Sequence, residues 1–153
     1  MQKLKFNSKR QEELYNLITE LEYASYPVLK LLLQDKDRKL FKKNFKFLHK
    51  DNYIKVVKVG NKVYAFPASS SESFNEQKIE LFNWFYLKVI RSGGKLLKDE
   101  NKIITATEHE FTYDIIPEIN AVKLYGKEVN YIATLKQLKN IFINLGDSLS
   151  KTN

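Results

Sequence analysis

Lysine and arginine are concentrated in one short stretch of this 153-residue sequence. Residues 36–62 contain ten basic and two acidic side chains, an excess of +8 that equals the formal net charge of the whole chain. Because ammonium and guanidinium groups bind phosphate oxygens, a basic excess confined to one region predicts a surface that binds a polyanion. The ten basic residues are Lys36, Arg38, Lys39, Lys42, Lys43, Lys46, Lys50, Lys55, Lys58 and Lys62.

A second group of chemically capable residues lies in the C-terminal half. Pro117-Glu118 is followed by Glu128-Val129-Asn130, and Asp114 is a further carboxylate nearby. The order is similar to that of metal-dependent nucleases of the PD-(D/E)xK type, which implies acids that bind Mg²⁺ and a lysine that stabilises charge. Asn130 stands where that pattern has its lysine, and Glu128 falls in a predicted turn. We therefore interpret these residues as surface polar side chains and assign no catalytic residue.

Other reactive groups are sparse in the sequence. Cysteine is absent, His49 and His109 lie far apart, and there is no glycine-rich phosphate loop. We expect no metal site, no cofactor and no enzymatic activity. The lack of cysteine fits a reducing compartment, and neither a membrane-spanning apolar run nor an export signal is recognisable, so we expect a cytoplasmic protein that does not enter a membrane.

Three helices are predicted to position the basic stretch. The first begins with Ser8 and Gln11, which have capping-box spacing, and continues with an apolar stripe of helical period. The second, over 27–33, is apolar nearly all round and should be buried. On a helical wheel the third separates almost cleanly. Leu40, Phe41, Phe47 and Leu48 lie on one side with Phe45 at its margin, and the basic residues from Arg38 to Lys50 lie on the other.

A β-hairpin is predicted after the third helix. Residues 53–59 and 62–66 are rich in β-branched and aromatic side chains, and Gly60-Asn61 between them suits a two-residue turn. Lys58 and Lys62 flank the tip of this hairpin, and Pro67 is expected to end the pairing. The basic stretch therefore continues from a helix into a turn.

Three helices followed by a hairpin with a basic tip resemble the winged helix-turn-helix superfamily. The segment FKFLHKDNYIKVVKVGNKVYAF looks like the end of a recognition helix and its wing, and the resemblance covers about residues 8–67. It implies that the third helix enters the major groove of double-stranded DNA while the hairpin tip, with Asn61, reaches the neighbouring backbone or minor groove. Arg38 is then the candidate for reading guanine, and Gln34 or Asn44 for reading adenine if they face the groove, although Asn44 lies near the apolar side of the wheel.

The C-terminal half is predicted to form a separate module. Residues 68–73 are small and polar and are interpreted as a linker. A strongly apolar helix over 75–91 is either the centre of the module or a dimer interface. Strands are predicted at 95–97, 103–107, 110–116, 119–125 and 129–134, and a last helix at 135–145.

The sequence therefore predicts an α+β protein with a winged helix-turn-helix domain at 1–67, a helix–β-meander–helix module at 74–146, and a flexible tail at 147–153. The leading hypothesis is a DNA-binding protein that forms a homodimer or binds a protein partner through the module. The layout is similar to plasmid replication-relaxation proteins of low-GC bacteria, which implies transcriptional regulation, or replication or mobilisation of a plasmid or mobile element. The alternatives are a protein–protein adaptor and a degenerate nuclease.

Overall fold

Both halves of the chain combine helices with antiparallel strands, so the predicted α+β class is confirmed. This computed structural model describes residues 5–33, 38–71 and 73–140. The chain divides into two compact units, Met1–Phe74 and Asn75–Asn153. The division falls directly after the small polar stretch at 68–73.

The N-terminal unit contains three helices and a small antiparallel sheet in its described residues. The elements are α1 (Lys9–Leu21), β1 (Ala24–Ser25), α2 (Tyr26–Leu33), α3 (Arg38–Lys50), β2 (Ile54–Val59) and β3 (Lys62–Pro67). The strands lie in the order β1-β3-β2. The hairpin of β2 and β3 keeps its pairing as far as Pro67, which lies opposite Ile54.

Local sequence determines where α1 begins. The hydroxyl oxygen of Ser8 accepts a hydrogen bond from the Gln11 backbone N–H at 3.3 Å. The side-chain oxygen of Gln11 in turn accepts the backbone N–H of Asn7 at 2.8 Å. Both bonds use backbone groups at the helix start that have no partner within the helix, so they stabilise its first turn. The buried residues of α1 are Gln11, Leu14, Ile18 and Leu21.

Strand β1 lies between the first two helices, where the sequence analysis predicts no strand. Ala24 and Ser25 pair with Ala65 and Tyr64 of β3, and both strand residues are buried. A strand of two residues is too short for an alternating pattern to reveal it. The prediction for α2 was right only in part, because Val28 and Leu29 are buried whereas residues 31–33 are half-buried.

The C-terminal unit is a helix followed by a five-stranded meander and a short helix. Its elements are α4 (Glu76–Arg91), β4 (Lys95–Leu97), β5 (Lys102–Ile104), β6 (Glu110–Ile116), β7 (Ala121–Tyr125), β8 (Asn130–Thr134) and α5 (Leu135–Lys139). All neighbouring strands are antiparallel, in the order β4-β5-β6-β7-β8. The predicted continuation of the last helix to residue 145 and the tail at 147–153 lie outside the described residues.

Two strands are shorter than the sequence predicts, and turns explain both. After β5 the chain turns at Thr105, whose carbonyl accepts the N–H of Glu108, a residue with φ of +64°. Before β7 a single 3-10 turn spans Pro117–Ile119 and ends at Asn120, which has φ of +52°. Both turns contain apolar residues, so the sequence pattern typical of a strand continues past the ends of the observed strands.

Helix α4 lies at the centre of the C-terminal unit. Its apolar sequence had two interpretations, the centre of the module or a dimer interface, and the structure supports the first. Leu81, Phe85 and Val89 belong to the buried core. The helix begins at the cap Asn75, whose side-chain oxygen accepts the N–H of Lys78 at 3.2 Å. It ends where Gly93 adopts φ of +81° and the N–H of Gly94 donates to a carbonyl one turn back. The core residues that α4 meets are Ile103, Tyr113, Val122, Leu124, Ala133 and Leu138.

A buried lysine joins α4 to the end of α5. Lys88 is buried, and its ammonium group donates a hydrogen bond to the backbone carbonyl of Asn140. Burial lowers the pKa of Lys88, because the charged form loses its hydration. On the preceding turn, the buried amide of Asn83 donates to the carbonyl of Ile79 at 2.8 Å. Both of these buried polar side chains therefore bond to the backbone.

We expect Phe85→Ala to lower the free energy of unfolding of the C-terminal unit by about 3–5 kcal/mol, because it removes a buried ring and leaves a cavity. Phe85 is 0% exposed. Urea unfolding followed by the fluorescence of Trp84, the one tryptophan of the chain, measures the effect in this unit. Ile90→Ala on the same helix is the control, since Ile90 is 41% exposed. Equal losses from the two substitutions would contradict the assignment of the core.

Candidate nucleic-acid interface

One face of α3 carries exposed lysines along its whole length. Their rotational positions span an arc of about 100° on a regular helix. His49 is also exposed and lies next to this arc. We call these lysines the α3 ridge; they are Lys39, Lys42, Lys43, Lys46 and Lys50, and all five are exposed.

The opposite face of α3 is fixed by burial against the rest of the unit. Phe41, Asn44 and Leu48 are buried. The rings of Phe41 and Phe45 each approach the ring of Tyr26 on α2 with centroids 5.1 Å apart, edge to face. Burial raises the pKa of Tyr26. Rotation of α3 would expose these rings, so packing determines which way the lysines point.

A second aromatic cluster holds the C-terminal end of α3. Tyr53, directly after the helix, packs against Phe47 with ring centroids 6.0 Å apart and against Phe6 at 5.3 Å. Its hydroxyl donates a hydrogen bond to the backbone carbonyl of Lys5 at 2.7 Å. The cluster thereby places the exposed Lys5 beside the turn that follows α3. Lys5 was not among the site residues predicted from the sequence. It lies far from residues 36–62 in the chain, so no local charge pattern marked it.

The hairpin continues the basic surface. Lys55 and Lys58 are exposed on β2, and Asn61 and Lys62 are exposed at the turn and the start of β3. Val59 lies opposite Lys62, which leaves Gly60-Asn61 as the two-residue turn that the sequence predicts. Gly60 has φ of +62°, a conformation that residues with a Cβ rarely adopt.

Not every candidate site residue can be placed. Lys36 and Gln34 lie outside the described residues, and Arg38 is described only as the first residue of α3. Asn44 is 5% exposed, so its amide cannot reach a base edge, and its suggested role in reading adenine is wrong. Asn44 lies on the apolar side of the helical wheel, and this position already indicated that its side chain is buried.

The two acidic residues of the nuclease-like pattern, Glu118 and Glu128, do not lie at one site. Glu118 lies in the connection between β6 and β7, whereas Glu128 lies in the connection between β7 and β8. In an antiparallel meander these two connections lie at opposite ends of β7, which is about 17 Å long at about 3.4 Å per residue. One Mg²⁺ ion needs its ligands at about 2.1 Å, so the two carboxylates cannot share it. Among the residues that the structure describes, no cluster of three or more His, Asp and Glu side chains could hold a metal.

A groove at one end of the five-stranded sheet brings together a further set of polar side chains. It has a volume of about 630 Å³ and lies between the β5–β6 loop and the β7–β8 turn. Glu108, Glu110 and Glu128 line it together with His109 and Lys127. The Nδ1 atom of His109 lies 2.8 Å from the hydroxyl of Thr107. The lining carries more carboxylates than cations, so the groove is not a phosphate site.

Comparison of the chain with models of protein families, with curated proteins and with solved structures gives no match. The geometry and charge described above therefore carry the functional argument. A separate search of the described helices finds none with the length and apolar character needed to cross a bilayer.

We expect Lys46→Glu to raise the free energy of unfolding by about 1 kcal/mol, because position 46 is four residues from both Lys42 and Lys50. The substitution replaces two repulsions with two attractions on the surface of α3. Thermal unfolding followed by far-ultraviolet circular dichroism at low salt measures it. Lys127→Glu, in a turn without helical neighbours, is the control. A lower melting temperature for Lys46→Glu would show that Lys46 stabilises the fold.

Proposed function

We propose that this protein binds double-stranded DNA through the α3 ridge and the basic tip of the β2–β3 hairpin. The observation that carries the proposal is the placement of five exposed lysines on one face of α3, opposite the face that packs into the unit. Lysines on a helix contact phosphates as point charges and release the counterions of the duplex. The C-terminal unit, which carries a net charge of about +1, serves dimerisation or partner binding.

The order of elements supports a winged helix-turn-helix arrangement. The chain runs α1-β1-α2-α3-β2-β3, and the strands pair in the order β1-β3-β2. In the proposed arrangement α3 is the recognition helix and the β2–β3 hairpin is the wing. The helix would enter the major groove, and the lysine-flanked turn would contact the adjacent backbone.

The composition of the surface favours phosphate contacts over base reading. Lysine dominates the basic stretch, and Arg38 is its one arginine. Arginine supplies the bidentate fork that reads guanine, whereas lysine binds phosphate without a fixed geometry. We therefore propose modest sequence preference and affinity that falls steeply with salt.

The same composition argues against the alternative of a protein–protein adaptor at this face. The buried centres of protein interfaces are depleted in lysine, because each ammonium group would have to lose its hydration. A nuclease role has no support in the positions of Glu118 and Glu128. We propose a cytoplasmic role in transcriptional regulation, or in the replication or mobilisation of a plasmid or other mobile element.

Charge reversal of the α3 ridge tests the proposal directly. We expect the triple substitution Lys42→Glu, Lys43→Glu and Lys46→Glu to weaken duplex binding and to reduce the slope of log affinity against log salt by about 2.7, which corresponds to three phosphate contacts. Fluorescence anisotropy with a labelled duplex at about 50 and 200 mM salt measures both quantities.

A triple reversal in the other unit is the matched control for net charge. Lys78→Glu, Lys127→Glu and Lys136→Glu change three exposed lysines and alter the total charge equally. The control should retain most of the affinity and of the salt slope. If the two triple variants weaken binding equally, only net charge matters and the α3 ridge is not the DNA site.

The hairpin tip makes a separate and smaller contribution. We expect Lys58→Ala with Lys62→Ala to reduce the salt slope by about 1.8, because two phosphate contacts are lost while the α3 ridge stays intact. The anisotropy titration described above measures it, with Lys78→Ala plus Lys136→Ala as the control pair. A salt slope equal to that of the unmodified protein would remove the hairpin from the interface.

A further inference from the structure

The two edges of the five-stranded sheet differ in how well they are protected. Strand β4 has three residues and begins with Lys95. Strand β8 has five residues, Asn130-Tyr131-Ile132-Ala133-Thr134, and none of them is charged or a proline. Natural sheets usually protect an edge with short length, lysine, proline or a bulge, because an open edge pairs with other chains. Edge β4 has such protection and edge β8 does not.

The strand register shows which backbone groups point outward from β8. Hydrogen-bonded and non-bonded pairs alternate along an antiparallel ladder. The N–H of Gly126 donates to the carbonyl of Val129 at 2.9 Å, which makes this a bonded pair. Tyr131 and Ala133 therefore direct their N–H and C=O groups toward β7. Asn130, Ile132 and Thr134 direct theirs to the outer side, where no strand lies among the described residues.

One end of this outer edge is closed by a side chain. Thr134 is the cap of α5, and its backbone N–H donates to the side-chain oxygen of Gln137 at 2.9 Å. A strand that approaches from outside cannot use this N–H. Within the part of the chain that the structure describes, the groups open for pairing therefore belong to Asn130 and Ile132, and the Ile132 side chain is 42% exposed on the same strand.

We propose that β8 pairs with β8 of a second copy of this chain, antiparallel and about a two-fold axis. With Asn130 and Ile132 as the open positions, Asn130 of each copy lies opposite Ile132 of the other. The two bonded pairs then supply four backbone hydrogen bonds. Tyr131 faces its own counterpart at the axis, where an aromatic cross-strand pair adds stability. Two five-stranded sheets become one continuous sheet.

A second copy fits this edge better than a charged partner. The strand is uncharged, so self-pairing brings no like charges together, and the C-terminal unit as a whole is close to neutral. The N-terminal unit carries about +7 by the same count and would repel itself. The inference rests on the proposed function only in assigning assembly to the C-terminal unit, and it does not require DNA binding.

Substitution at the open edge tests the pairing without DNA. We expect sedimentation equilibrium of the unmodified protein to give twice the mass of the 18.0 kDa chain. Ile132→Lys places a charge opposite Asn130 of the second copy and should give the mass of one chain. Ile119→Lys makes the same change at a residue that is 51% exposed in the turn between β6 and β7, outside the proposed pairing positions, and should remain dimeric.

Three outcomes of the sedimentation experiment would overturn the proposal. They are a monomeric unmodified protein at every concentration, a dimeric Ile132→Lys variant, and dissociation by Ile119→Lys as well. Circular dichroism of each variant establishes that it is folded before its mass is interpreted. Because duplex binding is measured separately with the α3 ridge variants, failure of dimerisation leaves the DNA proposal standing, and the reverse also holds.

The register is tested by cross-linking, which is selective because the chain contains no cysteine. Asn130→Cys and Ile132→Cys are both changes at exposed positions. In the proposed register these residues face each other with Cα atoms about 5.5 Å apart, a spacing that a disulfide spans. An equimolar mixture of the two variants should form the mixed disulfide faster than either variant alone forms a dimer. Preferential cross-linking of Ile132→Cys to itself, or of neither, would overturn the register.

Discussion

The orientation of the α3 ridge depends on the burial of the other side of the same helix. Phe41 and Leu48 are enclosed by the N-terminal unit, and the edge-to-face contacts of Phe41 and Phe45 with Tyr26 resist rotation of the helix. Burial of such side chains contributes several kcal/mol, whereas each repulsion between neighbouring lysines costs only tenths. The fold can therefore hold like charges together on one surface, as a site for a polyanion requires.

The two units divide the chemistry of the chain. The N-terminal unit concentrates positive charge and uses a small sheet, β1-β3-β2, to join its helices to the hairpin. The C-terminal unit is nearly neutral, and two of its buried polar side chains, Asn83 and Lys88, donate hydrogen bonds to the backbone. Under the two proposals, this partition would let the N-terminal unit attract an anionic ligand while the C-terminal unit pairs with a second copy without repulsion.

Much of the fold could be predicted from periodicity and caps. The wheel for α3 separated exposed from buried residues correctly, because a stripe of the right period is the strongest local signal of burial. Strand β1 was missed because two residues are too few to show an alternating pattern. Its burial comes from pairing with β3, which is distant in the sequence. The anchoring of Lys5 by Tyr53 is likewise a contact across 48 residues, which no local pattern contains. The acidic residues looked adjacent in the sequence order of a nuclease, but the meander separates them at opposite ends of β7.

The hydrogen bond between Thr134 and Gln137 has a consequence for the size of any assembly. It closes the last donor of β8, and Lys95 with the short length of β4 blocks the far edge of the same sheet. A sheet that can grow at only one side, and over only two residues there, ends its growth once that side is filled. If β8 pairs as proposed, strand addition would be self-terminating and would produce a finite particle, whereas two open edges would allow a fibre.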